Sequence, residues 1–368
     1  MGQAHRRIVL ASDLHLGCRH LDEDDDLVAG SVHERDVALG RWLEALVVQH
    51  HHFELTLLGD TFALTEVRAA PEHRGTADSP MREASEALEC VLSSHPIMVR
   101  ALAELARSSI VRFVAGDHDV ELSAAALQRR VRAHMERASR THTWKNVVFE
   151  PWIYFVPGLL YAEHGNQYHP INAFPALLWA FMDGDVDRSW LARFDRPVST
   201  DLPRLLWRQM RQMARAQSSH ERRIRYRQSV LQGYAERIGL EARAVLAIDE
   251  HSQASPSVAA IARQAARRLA GGASHQHRRS AGYLHDAWPH VHSALQSVGQ
   301  SVPFYVFGHT HVPERRSLAD GVSYLNPGAW AERVVSYQPR SVRGAYVLVE
   351  QSSGGSASAA LRRWPEAG

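Results

Sequence analysis

The stretch Ile8-Val9-Leu10-Ala11-Ser12-Asp13-Leu14-His15-Leu16-Gly17 is a short apolar run that leads into a polar, histidine-bearing turn. An apolar run of this length with β-branched side chains predicts a strand that is buried on both faces, as in a parallel sheet. The polar residues after it would stand at the carboxyl end of that strand, where the binding sites of open α/β sheets lie. This stretch therefore predicts an α/β fold with a functional site at its strand ends.

The same pattern of an apolar run and a polar cluster recurs along the chain. The later clusters are Gly59-Asp60, Gly116-Asp117-His118-Asp119, His164-Gly165 and Gly308-His309-Thr310-His311. Helical stretches over residues 36–48 and 82–92 separate the early strands, which predicts βαβ units and mixed sheets. A further strand that ends near Asn326-Pro327-Gly328, and a hairpin around Gly354-Gly355, would complete the core.

The chain has 368 residues, which is more than one typical domain contains. Residues 170–301 show helical periodicity with little strand signal, and they interrupt the strand series between His164 and His309. We therefore expect a discontinuous main domain, formed by residues 1–169 and 302–368, with residues 170–301 inserted as a helical cap.

Aspartate and histidine recur in the clusters at a spacing that suits metal binding. Asp13 and His15 are separated by one residue, as are His309 and His311, so each pair can face one side of a strand end. Divalent cations take carboxylate oxygens and imidazole nitrogens as ligands. The candidate ligands are Asp13, His15, Asp60, Asp117, His164, His309 and His311. These are too many for one ion and predict two ions roughly 3.5–4 Å apart, with Asp60 as the shared carboxylate.

In order and composition these blocks resemble the calcineurin-like metallophosphoesterases, whose pattern is Asp-x-His, Gly-Asp, Gly-Asn-His-Asp/Glu, His and Gly-His-x-His. The resemblance covers the blocks but not residues 170–301. It implies a four-layer α/β sandwich of two mixed β-sheets flanked by helices. It also implies a metal-dependent enzyme that hydrolyses a phosphodiester or pyrophosphate bond by attack of a metal-bridging hydroxide.

The resemblance also implies a role for each site residue. The first ion would take Asp13, His15, Asp60 and His311, and the second would take Asp60, Asp117, His164 and His309. His118 would donate a hydrogen bond or a proton to the leaving oxygen, and Asp119 would fix the tautomer of His118. Manganese is the expected ion, with iron and zinc as alternatives.

One position departs from the family pattern, because Asp117 stands where the family has asparagine. An ionised aspartate offers only acceptors, whereas asparagine also offers an amide donor to a substrate phosphate. The additional negative charge should strengthen cation binding and repel an anionic substrate. We therefore expect the Asp117→Asn variant to keep or raise turnover.

The sequence leaves the substrate open. Arg19, Asn166 and Tyr168 follow two of the blocks and are candidate substrate contacts, with ordinary loop polarity as the alternative. Between Arg204 and Arg227 eight arginines stand against one acidic residue. This segment is either a solvated helix face or a surface for anionic lipid headgroups, substrate phosphates or nucleic acid.

The first and last blocks also resemble those of the UDP-2,3-diacylglucosamine pyrophosphatase branch, which acts at the membrane surface. The expected partner is thus a phosphorylated small-molecule or lipid-linked substrate. A nuclease-type phosphodiesterase acting on DNA or RNA and a non-catalytic scaffold remain the alternatives. The first ten residues lack a secretory signal, and two cysteines suit a reducing compartment, so we expect a cytoplasmic protein, with peripheral membrane contact left open.

Overall fold

Two β-sheets form the centre of the fold in this computed structural model. The structure describes residues 6–17, 32–50, 52–69, 80–139, 144–169, 172–183, 238–247, 255–270, 287–318, 321–330 and 344–365. The described strands are β1 (Arg6–Ala11), β2 (Glu54–Leu58), β3 (Val111–Val114), β4 (Val147–Glu150), β5 (Ile153–Val156), β6 (Leu160–Glu163), β7 (Phe304–Phe307), β8 (Glu314–Ser317), β9 (Ser323–Asn326), β10 (Gly344–Gln351) and β11 (Ala357–Trp364).

Both sheets mix parallel and antiparallel pairing. The first has the order β11-β10-β1-β2-β3-β4, in which β1 to β4 run parallel and the β10–β11 hairpin lies antiparallel beside β1. The second has the order β5-β6-β7-β9-β8, with β6, β7 and β9 parallel and both edge strands antiparallel. The parallel strands of each sheet therefore deliver their carboxyl ends to one edge.

The alternation of side chains along β1 shows how the first sheet is buried on both faces. Val9 and Ala11 belong to the core that the sheet shares with a layer of helices. Ile8 and Leu10 point the other way, into the core between the two sheets. Each of these side chains is fully buried, which explains why β1 has no polar face.

Helices cover the outer face of the first sheet. The helices with described bounds are α1 (Val32–Gln49), α2 (Leu64–Ala69), α3 (Pro80–Ser94), α4 (Pro96–Leu105), α5 (Ala125–Ser139), α6 (Pro175–Asp183), α7 (Pro256–Ala270) and α8 (Trp288–Ser297). Of these, α6, α7 and α8 lie within residues 165–301. In α1 the buried residues recur every three or four positions, for example Leu39, Leu43 and Leu46, so one stripe faces the core. The predicted fold class is confirmed: the protein is an α/β sandwich of two mixed sheets flanked by helices.

The start of α4 is held by a side chain from α1. Pro96 occupies the first turn, where a missing N–H costs nothing. The buried Asp36 accepts hydrogen bonds from the N–H groups of Ile97 at 3.1 Å and Met98 at 2.8 Å. A carboxylate at this end of a helix satisfies donors that have no partner within the helix and complements its dipole.

Contacts between residues divide the chain into two units, Met1–His164 with Val302–Gly368, and Gly165–Ser301. Within the second unit α7 packs against α6 and α8. Phe174, Leu177 and Leu178 are buried around the start of α6, as expected for core residues. The described helices include none with the length and apolarity needed to cross a bilayer. The function of residues 170–301 as a cap stays a prediction.

The structure contains strands and a disulfide bond that the sequence pattern did not predict. Strands β4, β5 and β8 were not predicted, and α1 and α3 extend beyond the predicted helical stretches. Cys90, in α3, is disulfide-bonded. The cytoplasmic location stays a prediction.

Candidate metal centre

The predicted ligands lie on loops that follow the parallel strands of both sheets. These loops are tied to one another through the main chain. The N–H of Asp13 donates to Gly59 O at 3.1 Å, and that of His15 donates to Asp60 O at 2.9 Å. Within the second sheet, Gly308 N–H donates to His164 O at 3.0 Å. The loops after β1 and β2 therefore hold each other in register, and so do the loops after β6 and β7.

Most of the predicted ligands have an unusual backbone conformation. Among the residues that the structure describes, those other than glycine with positive φ are Asp13 (55°), His15 (43°), Asp60 (50°), His309 (66°) and His311 (62°). The left-handed region is uncommon for residues with a side chain and is strained. Such conformations persist only where the surroundings enforce them, and they cluster at functional sites. All five residues belong to the predicted ligand set.

Two glycines allow the loops to approach closely. A Cβ atom on Gly59, whose φ is 81°, would lie 2.4 Å from His164 Cγ. A Cβ atom on Gly116 would lie 2.2 Å from Asp60 Oδ1. Both separations are far below van der Waals contact, so glycine is required before Asp60 and before Asp117.

Asp13, His15 and His311 form the first group of candidate ligands, whose ligand atoms all lie within 4.8 Å of one another. Asp13 Oδ1 is 3.2 Å from His311 Nε2 and 3.8 Å from His15 Nε2. This oxygen is buried and has no hydrogen-bond partner. The other oxygen, Oδ2, accepts the N–H of His309 at 3.0 Å and lies within hydrogen-bond distance of Ser12 Oγ. Asp13 is therefore oriented by Oδ2 while Oδ1 faces the histidines.

Asp60, Asp117, His164 and His309 form the second group, again within 4.8 Å. Asp117 Oδ1 lies 3.1 Å from His164 Nε2 and 3.0 Å from His309 Nδ1. His164 Nδ1 lies 3.0 Å from the carbonyl oxygen of Leu58, to which it can only donate. A neutral His164 therefore presents the lone pair of Nε2 to the carboxylates, as metal-binding histidines do.

Asp60 connects the two groups. Its Oδ2 lies 3.2 Å from His164 Nε2 in the second group and 3.6 Å from His15 Nε2 in the first. Its Oδ1 is occupied by the N–H of His118 at 2.9 Å. One carboxylate oxygen thus stands between the two sets of histidines, which is the position of a bridging ligand.

The buried carboxylates of this cluster are stabilised in their ionised form only by positive charge close to them. Asp13, Asp60 and Asp117 are at most 3% exposed. Burial favours their neutral forms, but the surrounding histidines lower the pKa of Asp13 and Asp117 well below the usual range. For Asp60, burial and the Asp117 charge raise the pKa, and His164 and His118 outweigh them and lower it. Burial lowers the pKa of His164, whereas Asp60 and Asp13 raise it well above its ordinary value.

These features fit two divalent ions. The buried Asp13 Oδ1 has no hydrogen-bond partner, and His164 Nε2 would offer a lone pair to a cation once its proton is displaced. Together with the buried carboxylates, these atoms form a set of oxygen and nitrogen ligands. Oxygen and imidazole donors suit hard or borderline divalent cations. The first group with Asp60 would hold one ion, and the second group would hold the other.

His118 lies at the edge of the cluster. Its side chain is 18% exposed, and its Nε2 lies 3.7 Å from Asp117 Oδ2. Its ring packs edge-on against that of His15, with centroids 4.9 Å apart. Its main chain is fixed by the N–H bond to Asp60 and by Thr65, whose N–H donates to His118 O at 3.3 Å. The predicted proton-donor role of His118 stays a prediction.

Asp119 makes contacts other than the predicted one to the His118 ring. Its carboxylate accepts backbone N–H groups from four residues: Gly116 at 2.7 Å, Thr61 at 2.8 Å, Phe62 at 3.1 Å and Asp60 at 3.3 Å. Burial and the nearby Asp60 charge raise the pKa of Asp119 to about 7 against these donors. Asp119 therefore joins the loops after β2 and β3, and the expectation that it fixes the His118 tautomer is corrected.

The candidate substrate contacts Asn166 and Tyr168 belong to the second unit, and their role in substrate binding stays a prediction. Asn166 and Tyr168 lie in a 3-10 turn of the second unit and are buried. Asn166 Nδ2 donates to Asn172 O at 2.9 Å, which is a structural contact within that unit. Arg19 and the segment between Arg204 and Arg227 lie outside the described residues.

Three residues that the sequence analysis did not assign to the site support its ligand loops. Ser12 Oγ lies 2.8 Å from Leu58 O and close to Asp13. Arg35 NH1, buried in α1, donates to the carbonyl oxygen of His15 at 3.3 Å. Asn326 Nδ2 donates to Gly308 O at 2.8 Å. Asn326 precedes Pro327-Gly328, from which the sequence predicted a turn but not this hydrogen bond.

Comparison with known proteins finds only weak similarities. No protein-family model and no curated protein matches the chain. Among solved structures, a dimetal phosphatase from Danio rerio is 14% identical with a TM-score of 0.35, covering 96% of this chain and 98% of that one. Another crystal structure is 11% identical with a TM-score of 0.35, covering 97% and 99%. Likenesses this weak carry no argument, so function is inferred from the geometry described above.

Proposed function

We propose that the protein is a dinuclear metal-dependent phosphoester hydrolase. The observation that supports this most directly is the position of Asp60 Oδ2, 3.2 Å from His164 and 3.6 Å from His15. It joins two Asp/His groups into one site, and paired metal sites of this kind stabilise the attacking and leaving oxygens of a displacement at phosphorus. The resemblance of the sequence blocks to the calcineurin-like metallophosphoesterases points to the same class.

The two ions, when bound, would supply Lewis acidity and lower the pKa of water to near neutrality. The chain's own residues hold and shape the site. Asp13 and Asp60 each keep one oxygen turned to the ligand histidines, because the other oxygen accepts a backbone N–H. The loops are held before any ligand arrives, so little reorganisation is needed during the reaction.

We assign to His118 the role of donating a proton to the leaving group. Its imidazole is partly exposed at the rim, whereas His164 is fully buried and His309 contacts Asp117 at 3.0 Å. A protonated Nε2 would donate its proton to the departing oxygen as the bond to phosphorus breaks. Proton transfer by a positioned side chain contributes roughly 10²- to 10⁴-fold to a rate.

The bond we expect to be hydrolysed is a phosphodiester or a pyrophosphate. Manganese is the ion we propose, by the resemblance stated above. A phosphorylated small-molecule or lipid-linked substrate is the class we favour. The arginine-rich segment between Arg204 and Arg227, proposed as a surface for anionic headgroups, lies outside the described residues.

The test is hydrolysis of bis(p-nitrophenyl) phosphate by protein that is chelated and then reloaded with manganese, iron or zinc. The variant is Asp60→Asn, which keeps the shape of the side chain and removes the charge at the shared position. The control is Glu104→Gln, an exposed carboxylate that is ion-paired with Arg107 and belongs to none of the candidate ligand groups. We expect turnover that depends on added ions, is retained in the control and falls at least 100-fold in Asp60→Asn.

A panel of nucleotides, UDP-linked lipids and single-stranded DNA would then identify the substrate. Preference for DNA, with a rate that falls steeply with salt, would favour the nuclease. Bound ions without turnover on any substrate would reject the hydrolase and favour a scaffold. Equal turnover in Asp60→Asn and the wild type would contradict the assignment of the site.

A further inference from the structure

The helical layer contains a groove whose side chains could bind a ligand. A groove of about 400 Å³ runs between α3 and α5. This volume is within the range of small-molecule sites, roughly 300–1,000 Å³. Leu127, Val131 and Met135 of α5 are buried in the core, so the groove is lined by the other side of that helix. No residue of the metal cluster lines it.

The groove is lined by more positive than negative charge. Helix α5 contributes Arg129, Arg130 and Arg137, together with His134, and α3 contributes a single acidic residue, Glu89. The residues at 130, 134 and 137 follow each other at helical spacing, so their side chains project in similar directions. The lining therefore carries a net charge of at least +2.

Glu89 is already engaged within the groove. Its Oε1 lies 2.9 Å from His134 Nε2, and its Oε2 lies 3.6 Å from Arg130 NH1. The contact with His134, followed by the charges of Arg137 and Arg130, lowers the pKa of Glu89 and keeps it ionised. Within the described ranges, Arg129 and Arg137 have no carboxylate within ion-pair distance. Two guanidinium groups thus remain for a ligand.

Small residues leave room beside these guanidinium groups. Ala126 and Ala133 lie on α5, and Ser85 of α3 lies on the opposite wall with its hydroxyl as a further hydrogen-bond donor. Side chains of this size create the hollow, and the longer arginines can reach over it. Guanidinium groups bind phosphate through paired, charge-assisted hydrogen bonds.

We propose that the groove between α3 and α5 binds a phosphate group, held by Arg129 and Arg137 with Ser85 beside it. The net charge of the lining matches a phosphate dianion. Glu89 disfavours a more highly charged polyanion and can accept a hydrogen bond from a ligand hydroxyl. Inorganic phosphate and a phosphate monoester share this chemistry. The site is separate from the metal cluster and does not depend on the proposed hydrolysis.

The experiment measures binding of inorganic phosphate and of glycerol 1-phosphate by calorimetry at constant ionic strength. The protein is chelated first, so that phosphate cannot bind to metal ions. The groove variant is Arg129→Gln with Arg137→Gln. The charge-matched control is Arg100→Gln with Arg107→Gln, two exposed arginines on or just after α4 that do not line the groove. Thermal melting verifies that all three proteins are folded.

We expect saturable binding of one phosphate group in the wild type and the control, and at least tenfold weaker binding in the groove variant. Tighter binding of the monoester than of inorganic phosphate would identify an ester as the ligand, and the reverse order would identify the free ion. The proposal is overturned if no saturation occurs. It is also overturned if both double variants lose affinity equally, because charge alone would then explain the binding.

Discussion

Replacing Asn326 tests whether the loop that carries His309 and His311 is held by a single buried amide. Asn326 is fully buried at the end of β9. Its Nδ2 donates to Gly308 O at 2.8 Å and Thr310 Oγ1 at 3.1 Å, and its Oδ1 accepts the N–H of Gly328 at 2.8 Å. The side chain therefore joins the loop after β7 to the turn after β9.

The Asn326→Ala variant would leave at least two buried backbone groups, Gly308 C=O and Gly328 N–H, without these partners. Each unsatisfied buried group costs about 1–3 kcal/mol, so we expect the free energy of unfolding to fall by about 2–6 kcal/mol. The positive-φ conformations of His309 and His311 would lose their support. Because these histidines belong to different ligand groups, we expect affinity for both ions to fall.

The assay combines urea unfolding, with and without added ions, and metal content by mass spectrometry. Asn146→Ala is the matched control, since Asn146 Nδ2 makes one hydrogen bond, to Ala106 O at 2.8 Å, outside the cluster. The control should lose roughly 1 kcal/mol of stability and keep its ions. The reasoning would be refuted by an Asn326→Ala protein that is as stable as the control and retains both ions at wild-type affinity.

Two other predictions concern pH and charge. Burial lowers the pKa of His95 to about 4, below its ordinary value, so the unfolded chain takes up a proton first as the pH falls and stability is lost between about pH 6.5 and 4. Between pH 7 and pH 5 this proton uptake lowers the free energy of unfolding by about 2 kcal/mol. Urea unfolding at both pH values should show a smaller loss in the His95→Gln variant than in the wild type. An identical loss would contradict the assignment of this pH dependence to His95. In Asp117→Asn the oxygen facing His164 and His309 can be kept, so we expect kcat on bis(p-nitrophenyl) phosphate to be kept or raised; a folded, metal-loaded variant without activity would be incompatible with this.

The candidate ligands could be found from sequence because each follows an apolar run within a few residues. Asp13 and His15 after β1, and His309 and His311 after β7, are local patterns that need no knowledge of distant contacts. The same locality explains why β1, β2, β3, β6 and β7 were predicted. By contrast β8, with the sequence Glu-Arg-Arg-Ser, is a largely exposed edge strand without apolar alternation. Charged edge strands protect a sheet from unwanted pairing, and they leave no strand signal in the sequence.

The role of Asp119 shows where local reasoning fails. The family resemblance implied contact with the His118 imidazole, whereas the oxygens of Asp119 accept N–H groups from the loops after β2 and β3. Three of those donors come from residues 60–62, far from Asp119 in the chain. A hydrogen bond between distant backbone groups depends on how the strands are placed side by side, which no spacing along the sequence records.

Apolar runs and polar turns are short-range patterns, and from them the amino-acid sequence predicts an α/β protein with aspartate and histidine clusters at the ends of its strands. How these clusters meet depends on the three-dimensional packing of the strands. The two sheets place the strands so that Asp60 Oδ2 stands between His15 and His164. They also enforce positive φ at five of the seven predicted ligands. Distances and strained conformations of this kind arise from packing between segments that are remote in sequence, and local composition does not determine them.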